Sequence, residues 1–76
     1  MTTLSEVLNL ADDLIGEELG SLGEPLARAH EDVIGSAEMR TKWRFYIAAV
    51  LADPRPSAAT RAKAMALHRE LDAELR

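Results

Sequence analysis

The chain has two histidines, His30 and His68, and these are the first residues to test for chemistry. His30-Glu31 opens like the zinc-binding helix H-E-x-x-H, but Ile34 stands where the second histidine belongs. The positions three residues before the histidines are Ala27 and Met65, so the Glu-x-x-His of di-iron bundles is absent too. Asp12-Asp13 and Glu17-Glu18 pair carboxylates in sequence, yet neighbours at i, i+1 diverge on a helix. No EF-hand spacing or central glycine accompanies them. There is no cysteine, which removes disulfides and thiolate ligands together. Ser21 lies in Gly20-Ser21-Leu22-Gly23, which lacks the spacing of a G-x-S-x-G elbow. Neither Gly-rich phosphate motif occurs. The expectation is a protein that is not an enzyme and has no cofactor, metal or small-molecule substrate.

An acidic helical chain of this length invites comparison with acyl carrier proteins, which attach their prosthetic group to the serine of an Asp-Ser-Leu motif. Gly20 precedes Ser21-Leu22 here, so the attachment motif is missing. Charge offers a different candidate. The net charge is −4, but residues 1–38 hold nine acids and one base, whereas residues 39–76 hold eight bases and four acids. Arg40, Lys42, Arg44, Arg55, Arg61, Lys63 and Arg69 share their stretch with a single acid, Asp53. Such a run can contact nucleic acid or an acidic partner. In its sharpest form this is a helix-turn-helix with a turn at Gly35 and a recognition helix carrying Arg40, Thr41, Lys42 and Arg44. Glu31 and the polar Thr41 and Arg44 oppose it, because they occupy positions where that motif packs small or apolar side chains. The plainer reading is that the acidic and basic halves pack together and partly neutralise one another.

These residues must be positioned by helices. At about 100° per residue, Met39, Trp43, Tyr46, Ile47 and Val50 share one face of a helix expected over 36–52. Phe45, Ala48, Ala49 and Ala52 fall on the opposite face. All three aromatic residues lie in this one segment. A helix apolar on both sides is normally buried, either in its own fold or against a partner. Asp53-Pro54-Arg55-Pro56 stops it, and Ser57 caps a fourth helix over 57–75 with Thr60, Ala64, Leu67, Leu71 and Leu75 inward.

Upstream, Thr3-Leu4-Ser5-Glu6 is a capping box. It opens a first helix over 3–19 whose expected core stripe is Leu4, Leu8, Ala11, Ile15, Leu19 and Leu22, with Val7 and Leu14 widening one shoulder and Leu10 exposed. Gly20 is the expected left-handed terminator. A second helix is expected over 24–34, separated by a break or bend at Gly35-Ser36 with Ser36 as the next cap.

The architecture expected is all-α: one domain, 1–76, built as a bundle of three to four helices around the central helix. A chain this short buries only about 60% of its unfolded surface, so regular packing or self-association has to stabilise it. The function expected is a protein-interaction module, an adaptor, inhibitor or assembly factor, self-associating as a homodimer through Phe45, Ala48, Ala49 and Ala52. The alternative is a small DNA- or RNA-binding regulator using the basic residues from Arg40 to Arg69. With no signal-like or membrane-length apolar run, a cytoplasmic protein is expected. Seven arginines against two lysines suit a high-GC bacterial or phage genome.

Overall fold

A computed structural model describes all 76 residues as four helices without strands. They are α1 (Leu4–Gly16), α2 (Gly20–Arg28), α3 (Ser36–Ala52) and α4 (Ala58–Glu74). α1 packs on α2, α2 on α3, α3 on α4 and α4 back on α1, closing a ring around a core of 13 buried hydrophobic residues. No helix is long and apolar enough to cross a membrane.

α3 and α4 follow the sequence closely. The Pro54 ring disfavours helix at the preceding residue, and Asp53 is indeed extended. Arg61 reaches back from α4 and donates to the carbonyls of Leu51 and Asp53, satisfying acceptors that the end of α3 leaves open. The Ser57 hydroxyl accepts from the Thr60 N–H at 3.2 Å, the expected N-cap. Thr60, Ala64, Leu67 and Leu71 are buried and Leu75 half-buried, also as expected. Trp43, Ile47 and Val50 turn α3 inward, with Met39 and Tyr46 packed against the core. Buried Trp43 is the largest core side chain, although its indole N–H finds no acceptor.

The first half of the chain departs from expectation in three places. α1 ends at Gly16, and the left-handed residue is Glu18 (φ 63°), not Gly20. The Leu19 N–H donates to the Leu14 carbonyl at 2.9 Å and the Glu18 N–H to Ile15 at 3.0 Å. These two bonds make a Schellman motif, closed by the buried pair Leu14 and Leu19, and they stop the helix early. α2 accordingly begins at Gly20 and is finished by Arg28. Residues 29–35 form a connector containing a second left-handed residue, Asp32 (φ 60°), so the expected break before α3 is present, but as a loop that begins well before Gly35-Ser36. Gly35 is the N-cap of α3, and the Glu38 carboxylate accepts from the Ile34 N–H at 3.1 Å.

The third departure is the face that α1 buries. Val7, Leu10, Ala11 and Leu14 point inward, about a quarter turn from the expected stripe. Leu10 is 0% exposed, whereas Leu4 and Ile15 are 38% and 44% exposed. The rotation brings Asp13 and Glu17 against α4, where both find partners. The close α1–α2 approach occurs at Gly23, where a Cβ would lie 2.8 Å from the Ala11 carbonyl oxygen. Gly16 and Gly20 have open space around them.

Three substitutions check this arrangement by chemical denaturation. Leu10→Ala should cost about 2–5 kcal/mol, whereas Leu4→Ala should cost less than about 1 kcal/mol; equal losses would mean that α1 faces the other way. Glu18→Gly removes a left-handed side chain and should stabilise by up to about 1 kcal/mol; a loss of stability would rule out the Schellman ending.

Candidate functional site

The expected interface residues are held together on the outside of α3. Phe45 is 70% exposed, and Ala48, Ala49 and Ala52 are exposed beside it. Helical phase explains this. Phe45 lies two residues, about 200°, from the inward Trp43, and the alanines follow on the same outer arc. The Phe45 ring meets Tyr46 edge-on, with centroids 5.3 Å apart and planes at 80°. Tyr46 is half-buried, so it anchors one edge of the ring and leaves the rest to solvent.

Between this face and α4 runs an open groove of ≈ 480 Å³ lined by Thr41, Arg44, Phe45, Ala48, His68 and Asp72. The α4 contribution was not foreseen from the sequence, because no local pattern tells which residues of α4 flank α3. His68 is half-buried here and His30 half-buried in the α2–α3 connector, so the histidines are not brought together. No three His, Asp or Glu side chains converge in a group that could hold a metal ion.

The basic residues do not form one free surface. Arg40 pairs with Glu74 at 3.2 Å, Arg44 with Asp72 at 3.0 Å and Arg55 with Asp53 at 2.8 Å. Lys63 bonds both Asn9 and Asp13 of α1, and Arg61 is committed to the end of α3. Lys42 and Arg69 alone among the seven have neither an ion pair nor a side-chain hydrogen bond. Lys63–Asp13 and the amino terminus with Glu70 are the ion pairs that join the two halves; Arg40, Arg44 and Arg55 find acids nearby in the second half. Asp12, Glu18, Glu24 and Asp32 have no cation within bridging distance, so the acidic half stays largely uncompensated.

Two carboxylates fix the ends of α4. At its start, Glu17 accepts from the Ser57 N–H (2.8 Å), the Ser57 hydroxyl (2.9 Å) and the Thr60 hydroxyl. The Thr60 bond is the strongest of the influences that hold the Glu17 carboxyl below its ordinary value of 4.5, followed by the Ser57 N–H. At the other end, the buried Thr2 hydroxyl lies 2.8 Å from oxygens of both Glu70 and Glu74, and the Thr2 N–H donates to Glu74 at 3.1 Å. Burial works against the Glu74 charge, yet Thr2 and Arg40 outweigh it and hold this carboxyl low as well. Asp53 is pulled down to about 2, chiefly by the Arg55 guanidinium. Thr2 and Glu17 carried no motif; their roles depend on partners about 40 or 70 residues away in sequence.

Comparison of the chain with protein-family models, curated protein sequences and solved structures finds no match.

The folded chain keeps Glu17, Asp53 and Glu74 charged to lower pH than the unfolded chain does, so it binds fewer protons in that range. Their stabilisation is complete above ordinary carboxylate values and lost as pH falls through the lowered ones, for Asp53 near 2. Glu17→Gln should therefore lower stability at neutral pH and flatten its decline between about pH 5 and pH 2. Denaturation midpoints measured across that range decide it, since a variant curve parallel to the wild type would remove Glu17 as a contributor.

Proposed function

We propose that the protein is a non-enzymatic protein-interaction module, a small adaptor, inhibitor or assembly factor working in the cytoplasm, that associates with itself through α3. The observation that carries this reading is the exposure of Phe45 in the middle of α3, on a face that the other helices leave uncovered. Aromatic side chains are enriched at the anchoring positions of interfaces, because they bury much area at low entropic cost. The neighbouring alanines are small enough to let a second helix approach closely. A chain of 76 residues without disulfides gains the apolar burial it lacks by associating.

The nucleic-acid reading draws less support. Of its seven basic residues, four are in ion pairs and Arg61 closes α3. Glu74 and Asp72 lie against the arginines that would have to meet phosphate.

Sedimentation equilibrium at micromolar concentration tests the proposal. The wild type should run at about twice the 8.3 kDa chain mass. Phe45→Glu should weaken association by about 2 kcal/mol or more, roughly 30-fold, without unfolding the helices. A wild-type protein monomeric throughout would remove self-association from the proposal.

A further inference from the structure

The uncovered face of α3 has a direction as well as a composition. Thr41, Phe45, Ala48 and Ala52 are all exposed, and their 4-3-4 spacing makes a nearly straight seam of the kind used between paired helices. The seam carries one large residue among small ones, and Phe45 lies off its centre, towards the start of the helix.

Suppose a second copy lay parallel. Phe45 would meet the partner's Phe45 at one level and Ala48 the partner's Ala48 at the next, so two rings would crowd where two methyl groups leave a gap. Mismatched layers of this kind cost packing on both sides. The parallel arrangement would also set the Arg40–Arg44 half of α3 beside its own copy and align the two helix dipoles. Antiparallel pairing reverses each of these effects. With the two-fold axis passing between the levels of Tyr46 and Ile47, Phe45 meets the partner's Ala48, and Thr41 meets the partner's Ala52. Every layer then joins a larger residue to a smaller one. Lys42, a cation without a partner in its own chain, comes to the flank where the partner's α3 ends, near the negative end of that helix's dipole.

We propose that a second copy of the chain docks antiparallel across α3, with Phe45 of each protomer seated over Ala48 of the other. The proposal rests on self-association through α3 and adds its orientation and register. An interface of this kind is isologous and closes as a two-fold dimer, so it gives no filament.

The natural chain has no cysteine, so introduced thiols report without background. Thr41→Cys and Ala52→Cys are both at exposed positions outside the core, and each variant is oxidised alone and in an equimolar mixture. Disulfides need Cα atoms within about 7 Å. In the antiparallel dimer two copies of Cys at position 41 are separated by about 16 Å along the helix axis, at 1.5 Å per residue. The mixture should therefore yield a linked dimer containing one chain of each variant, identified by mass, while neither variant links to itself. Self-linkage of Thr41→Cys would overturn the antiparallel orientation in favour of a parallel one. A dimer by sedimentation that fails to link in the mixture would overturn the register while leaving self-association standing. A monomer by sedimentation would overturn both.

Discussion

Three helix ends converge on the Glu74 carboxylate, and the arrangement of the bundle depends on that meeting point. Thr2 brings the start of α1 to it, Arg40 the first turns of α3, and Glu74 itself closes α4. At the far end Glu17 performs the reciprocal task, tying the exit of α1 to the open N–H group and hydroxyls that begin α4. α4 is therefore gripped at both ends and α1 runs antiparallel beside it, with α3 antiparallel on its other flank. Surface ion pairs add little net stability, whereas buried leucine, isoleucine or valine side chains contribute about 1.5–3 kcal/mol each. The core supplies the stability, and the polar ties decide which way each helix faces.

That division explains what was legible in the sequence. The bounds of α3 and the cap of α4 rest on proline geometry and a serine hydroxyl, which act within a few residues, and both were readable. Phe45, Ala48, Ala49 and Ala52 were readable as an outer face for the same reason, since their phase relative to Trp43 is a property of the helix alone. The face of α1 was not. Leu4, Val7, Leu8, Leu10, Ala11, Leu14 and Ile15 spread over about 160° of its circumference, wider than one buried stripe, so more than one orientation buries a similar apolar face. The choice among them falls to Asp13 and Glu17, whose partners Lys63, Ser57 and Thr60 lie far along the chain. The end of α1 was missed because Glu18 takes the left-handed position usually given to glycine, a cost that the Leu14–Leu19 contact and two backbone bonds offset.

The same ties shape the electrostatic surface. Folding consumes most of the basic stretch, because α3 and α4 neutralise one another through Arg40–Glu74 and Arg44–Asp72. Of the acids in the first half only Asp13 meets a basic side chain across the ring, so the excess negative charge lies mostly on α1, α2 and the connector. A copy approaching that face meets mostly paired charges and exposed apolar carbon, which favours close contact over long-range repulsion.

The alanines of that face carry little information by themselves. Alanine is the best helix former, and an exposed helix in any monomer can use it for that reason alone. Phe45 is different. Phenylalanine is a poorer helix former, it gains little where most of its ring stays in water, and within the chain its aromatic contact is the edge-on one with Tyr46. Isolated exposed apolar residues are ordinary on protein surfaces, and the proposed association gives this one a use: a mostly exposed ring at the middle of the central helix, flanked by residues small enough to admit another helix. Phe45, rather than the alanine stripe, is therefore the residue on which the proposed association rests.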